Sequence, residues 1–261
     1  MGTYSASNRE QWTGNVWRAL ETGYRHVDTT QAYGNEQYVG ESMARADVPR
    51  EEVFLATKTA HPDHPVPERE DVQSAVEGCL DRLGTDYVDL LYVHWPADPY
   101  DPETTLGAFD ELHDAGTVRH VGVSNFEPDQ LDRAREVLDA PLFANQVEMH
   151  PLLGQDHLLE YTREHDLWLV AYCPIARNEV ADVPAVVEVA EKHDATPAQV
   201  SLAWLLAKEH VAAIPKAADE RHRRENLAAR NLDLDPEDLA RIDGIDREHR
   251  IIDREYAPWR R

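Results

Sequence analysis

The sequence predicts a (β/α)8 TIM barrel. Short β-rich runs alternate with longer amphipathic, helix-like segments along the chain, and 261 residues suit one barrel domain spanning 1–261. No GxGxxG or P-loop motif follows any run, which counts against an open doubly wound sheet. The runs are 25–29, 53–57, 87–93, 118–123, 143–148, 168–172 and 211–214, and reading 2–5 as a first strand completes eight. Helix starts are well marked. Thr196-Pro197-Ala198-Gln199 combines a capping hydroxyl, a first-turn proline and a glutamine at the third position, and Asp235-Pro236-Glu237-Asp238 repeats the style. No linker or low-complexity segment divides the chain.

Charge narrows the partners. Fifty acidic residues face 26 basic ones, for a formal net charge of −24. Phosphate backbones and anionic bilayers repel such a surface, so no nucleic-acid or membrane partner is expected. Only Lys58, Lys192, Lys208 and Lys216 are lysine; the other basic residues are arginine. Acid excess with few lysine stems suits a protein dissolved in concentrated salt, so a halophile's protein is expected. No apolar stretch approaches the roughly 18 residues of a membrane span, and the amino end lacks a secretory pattern, so a cytoplasmic location is expected. Cys79 and Cys173 show no metal or redox spacing. Cys79, inside an apolar helical pattern, reads as a core residue.

In a barrel the active site gathers at the carboxyl ends of the strands. Asp28, Lys58 and His94 close three successive apolar runs, HVD, FLATK and DLLYVH, and Tyr33 follows Asp28 in the next loop. Each residue alone would pass as a cap, a solvated tip or a core histidine. Together they suggest a buried Asp28–Lys58 pair. A phenol ordinarily titrates near 10, and a neighbouring ammonium lowers that value, preparing Tyr33 to give up a proton. His94 is then placed to donate to a carbonyl oxygen and orient it. By chemistry alone, a redox barrel and a metal-dependent hydrolase barrel stand level.

The motifs GYRHVDTTQAYGNE (23–36), LATK (55–58), LLYVHWP (90–96), VRHVGVSNF (118–126), ANQVEMHP (144–151), AYCPI (171–175) and IPKA…EN (214–226) resemble the aldo/keto reductases. They are most similar to the prokaryotic branch that includes 2,5-diketo-D-gluconate reductases. The resemblance implies a nicotinamide-dependent oxidoreductase that reduces an aldehyde or ketone, such as a sugar-derived keto acid, on a (β/α)8 barrel without a metal. The family's catalytic tetrad falls on Asp28, Tyr33, Lys58 and His94. Its nicotinamide contacts fall on Ser124, Asn125, Gln146 and Tyr172, and its adenosine-side contacts on Lys216, His222, Glu225 and Asn226. There the chain departs from the pattern, because His222 replaces an arginine that forks onto the 2′-phosphate and Ala217 replaces a hydroxyl donor. NADP(H) binding is expected, with use of NAD(H) above the family's habit.

On the substrate side, Tyr4 stands where the family often carries tryptophan and Trp95 keeps an aromatic. Ala60 replaces another frequent tryptophan and opens the pocket wall. The chain starts almost at its first strand, so a barrel lacking the family's N-terminal β-hairpin plug is expected. The tail is expected to cover part of the pocket through Trp259. His61 and His64 lack further ligands at metal-binding spacing and read as a loop. His150 reads as a structural hydrogen-bond partner. A catalytically idle, cofactor-sensing barrel is the alternative outside enzymology.

Overall fold

The structure, a computed structural model, describes residues 1–4 and 9–260. The chain divides into two compact units, Met1–Asn145 with Arg254–Arg261, and Gln146–Asp253. The first holds β1 (His26–Asp28), β2 (Phe54–Thr59), β3 (Val88–Val93) and β4 (Val118–Ser124). The boundary falls inside β5 (Leu142–Glu148), and the second unit holds β6 (Trp168–Tyr172) and β7 (Val211–Ala213). Strand order follows chain order.

In the first unit β1 to β4 pair in parallel, with Asp28 opposite Ala56, Lys58 opposite Tyr92 and Tyr92 opposite Gly122. Parallel strands covered on both faces carry continuous apolar runs. Every residue of β3 is accordingly buried. Its one charge, Asp89, receives Arg50 at 2.9 Å, Arg119 at 2.8 Å and the Leu55 amide at 2.9 Å. Gly122 is required where it stands: a Cβ there would meet the Tyr92 ring at 2.7 Å. In the second unit Leu169 lies opposite Val211 in the parallel β6–β7 pair.

Helices separate the strands, and both predicted starts are present. Thr196 and Gln199 exchange bonds at 3.2 and 3.0 Å at the head of Pro197–Leu206. Asp235 and Asp238 form the matching box at Pro236–Asp243. Cys79 is fully buried, and both cysteines are free thiols. No helix among the described residues is long and apolar enough to cross a membrane.

Two expectations are corrected. The run 2–5 forms no strand among its described residues. Gly2 makes an isolated parallel bridge to Asp28, where Thr3 donates its amide to the Asp28 carbonyl at 3.0 Å; Ser5 lies outside the described residues. Lys58 does not end its strand either. The His94 amide donates to the Thr59 carbonyl at 2.8 Å, and this bond continues the ladder one residue past the lysine.

Candidate active site

Asp28 and Lys58 are almost wholly buried, and Lys58 Nζ lies 2.5 Å from Asp28 Oδ1 and 2.8 Å from the Thr29 carbonyl. The strand register explains the meeting. Asp28 pairs with Ala56, so Lys58 stands two residues further along the same face. The Tyr92 ring centroid is 5.5 Å from the ammonium. Burial lowers the Lys58 pKa, and the Asp28 carboxylate opposes that shift.

Beyond β1 the chain turns through a short 3-10 helix, Gln31–Tyr33. Thr30 caps it, and Gly34 ends it in the left-handed region at φ 62°. Tyr33 is thereby set with its ring centroid 6.3 Å from His94 and 5.3 Å from Tyr4, both edge-on. His94 is buried at the end of β3, with Nδ1 3.1 Å from the Thr30 hydroxyl. Burial, reinforced by the Lys58 charge, holds the imidazole well below its ordinary pKa, so it is neutral at pH 7. Asn125, at φ 65°, donates its amide to the His94 carbonyl at 3.1 Å and to Ser124 Oγ at 3.0 Å. The first unit thus brings together all four tetrad positions, with Ser124 and Asn125 alongside.

Aromatic rings gather after His94, where the Trp95 ring lies 5.3 Å from Tyr256 and 5.8 Å from Trp259 of the tail. Ala60 is buried at φ 57°. The next residue, His61, lies 4.8 Å from His94 and 6.3 Å from Tyr256, ring to ring. A small recess is lined by Ala60, His61, Val66, Ala97 and Tyr100. Sequence reasoning passed over Thr30 and Tyr256 and read His61 as a loop residue. Thr30 looks like filler beside Thr29, His61 sits in a proline-containing loop, and no periodicity marks Tyr256.

In the second unit Gln146 is buried and Tyr172 half-buried, each at or near the carboxyl end of its strand. Lys216 follows β7 and is exposed on its surface, yet partial burial of its ammonium lowers its pKa. Three residues later Asp219 caps the helix Glu220–Ala228, accepting from the Arg221 and His222 amides. His222 is exposed and Asn226 buried. The flanking arginines are engaged: Arg221 with Glu225 at 2.6 Å, Arg224 with Glu220 at 3.0 Å, and buried Arg223 with the Ala218 carbonyl at 2.7 Å. His150 Nε2 lies 2.9 Å from Glu148 Oε1. The buried Glu148 carboxylate also accepts the amides of Ile251 at 2.5 Å and Ile252 at 2.7 Å. Three partners satisfy that charge, which makes His150 the structural partner expected of it.

A buried ammonium–carboxylate pair, a phenol and a neutral imidazole thus stand together just beyond or near the ends of β1, β2 and β3. The model of the aldo/keto reductase family matches residues 1–247. The chain is 37% identical to an aldo-keto reductase of Mycolicibacterium vanbaalenii over 94% of this chain and 86% of that protein. It is 34% identical to the glyoxal reductase of Bacillus subtilis over 96% and 89%. A crystal structure provisionally assigned as a 2,5-diketo-D-gluconic acid reductase B matches with a TM-score of 0.94 and 36% identity over 98% of this chain and 90% of that one. The chain belongs to the aldo/keto reductase family. It is an oxidoreductase with the (β/α)8 barrel fold.

Proposed function

We propose that the protein reduces an aldehyde or ketone to the alcohol with NAD(P)H, and that Tyr33 is the proton donor. The buried Lys58–Asp28 pair beside Tyr33 and His94 carries this reading. A charge pair taken out of water costs several kcal/mol of desolvation, which is hard to explain at a strand end without a group to act on. The Lys58 ammonium favours the phenolate left when Tyr33 gives its proton to the carbonyl oxygen. Asp28 keeps Lys58 charged while it does so. Water is excluded by Trp95, Tyr256 and Trp259.

The side chains present fit a nicotinamide dinucleotide. Ser124 ends β4 and Asn125 follows it, both buried polar side chains, and Gln146 is a buried polar side chain near the end of β5. The nicotinamide, when bound, would supply the hydride, which no side chain can. Tyr172 offers a flat face for its ring, and Lys216, His222, Glu225 and Asn226 form the adenosine side. With its neighbouring arginines engaged, His222 leaves no guanidinium fork for a 2′-phosphate, so NAD(H) serves alongside NADP(H).

The names of the relatives suggest small polar carbonyl compounds, glyoxal or a sugar-derived keto acid among them, and Tyr4 and Trp95 flank their entry. We further read 1–261 as one working domain and the acid-rich surface as that of a cytoplasmic halophile protein. The test is the loss of nicotinamide absorbance in concentrated KCl with a reactive aldehyde, NADPH against NADH, for the parent and Tyr33→Phe. The reading expects turnover to fall about 10²- to 10⁴-fold in the variant. Equal turnover in both proteins overturns the role of Tyr33. Bound cofactor without turnover in either favours a sensor.

A further inference from the structure

We propose that Tyr92 is a positioning residue for Lys58: its buried ring face keeps the ammonium charged and in place beside Asp28, in a space that Gly122 leaves open. The inference rests on the reductase reading above, which gives the lysine its task.

The strand register sets the three residues in one row. Lys58 of β2 pairs with Tyr92 of β3, and Tyr92 pairs with Gly122 of β4. Side chains at paired positions leave the sheet on the same face. Tyr92 is fully buried, and Lys58 Nζ lies over its ring, 5.5 Å from the centroid. That is within the roughly 6 Å at which a cation is drawn to the negative face of a ring. The ring takes the ground where a side chain on β4 would stand. A Cβ at Gly122 would meet the Tyr92 Cδ1 and Cε1 atoms at 2.7 Å and the Ala144 carbonyl at 3.1 Å. Gly122 is not among the glycines of positive φ, so space and not backbone freedom calls for it. The rest of β3 is valine, leucine and Asp89, and a buried strand asks for nothing more than another leucine at this point. The tyrosine with its matching glycine supplies what a leucine lacks, a ring face.

Lys58 has need of that face. Burial draws its pKa down, and Asp28 first and Glu36 second oppose the loss of charge. The ammonium has three N–H donors, of which Asp28 Oδ1 at 2.5 Å and the Thr29 carbonyl at 2.8 Å take two. A further carboxylate would hold the charge but would also claim the third. A ring face favours the ammonium and brings no acceptor oxygen, so a donor stays available to the Tyr33 phenolate. The titratable groups around Lys58 are Asp28 and His26 on β1, Tyr33 in the short helix, Glu36 on the helix Glu36–Arg45 and His94 after β3. Burial first, and the Lys58 charge after it, hold both histidines below their ordinary pKa, so neither is a counterion. Asp28 and Glu36 stabilise the ammonium as carboxylates, and Tyr92 does so as a ring.

Magnetic-resonance spectra of protein labelled at lysine Cε and Nζ test this without turnover, because the chain has four lysines to resolve. Lys208, over the Trp204 ring at 4.1 Å, is the reference that changes at position 92 leave alone. Lys58 should give a ring-shifted signal in the parent and in Tyr92→Phe. In Tyr92→Leu, and in Tyr92→Leu/Gly122→Ala where the vacated space is partly refilled, the ring shift should vanish. The Lys58 midpoint should fall there by about half a unit to one unit. The alkaline limb of kcat should move to lower pH by a similar amount in the leucine variants and stay in place in Tyr92→Phe, with KM for NADPH altered less than about twofold. Should the leucine variants fail to fold, Tyr92→Met makes the same test with a more adaptable side chain. An unchanged Lys58 midpoint in a folded variant without the ring overturns the proposal, as does a fall in Tyr92→Phe equal to that in Tyr92→Leu. A midpoint that falls as expected in a protein without turnover leaves the ring's hold on Lys58 standing and overturns the reductase reading alone.

Discussion

Lys58 Nζ and Asp28 Oδ1 stand 2.5 Å apart with both side chains almost entirely out of water. Breaking such a pair from one side strands a charge in the interior. Asp28→Asn and Lys58→Met should each cost about 3–5 kcal/mol of stability, whereas the double variant should regain most of it. None of the three should regain turnover. Denaturant unfolding with steady-state rates separates the two effects. A double variant no more stable than the single ones would show that the pair's packing matters more than its charge.

The adenosine side yields a cofactor prediction. His222→Arg places a guanidinium on the exposed first turn of the helix Glu220–Ala228, near Lys216 in sequence. A bidentate contact to a phosphate is worth about 1.5–3 kcal/mol. The variant should therefore improve kcat/KM for NADPH over NADH by about tenfold or more relative to the parent. An unchanged ratio would mean that discrimination lies elsewhere than at His222.

Acid should destabilise the fold through the histidine that opens β1. His26 packs edge-on against Phe54, and burial is the main reason its pKa falls from 6.5 to about 3. The unfolded chain therefore takes up this proton first, and stability that is complete above the ordinary value is lost progressively as pH falls towards 3. His26→Leu removes the proton-binding group. Its unfolding free energy should decline less than the parent's between about pH 6.5 and about pH 4. Parallel pH profiles would assign the acid sensitivity to other groups.

A chain of formal net charge −24 repels itself at low ionic strength. Its unfolding midpoint should rise as KCl increases from about 0.1 M to about 3 M, where the Debye length falls below about 3 Å. A midpoint that stays level or drops would refute the halophile reading.

Much of this molecule is local information. The apolar runs set seven strands to within two residues, because a strand covered on both faces tolerates few polar residues. Thr196 and Asp235 announced their helices, because a cap needs only a neighbour three residues away. Asp28, Lys58 and His94 stood out as charged or polar residues closing apolar runs, and Tyr33 as the phenol in the loop after Asp28.

What escaped depends on distance in the chain. Thr30 matters because the Lys58 carbonyl and the His94 ring come to its hydroxyl from 28 and 64 residues away. His61 matters because one left-handed turn lays it against His94, and Glu148 because it accepts amides 103 and 104 residues further on. A strand or a cap is written in periodicity and neighbouring residue types. A buried carboxylate's partners follow from which donors and acceptors folding brings together, and no local pattern encodes that.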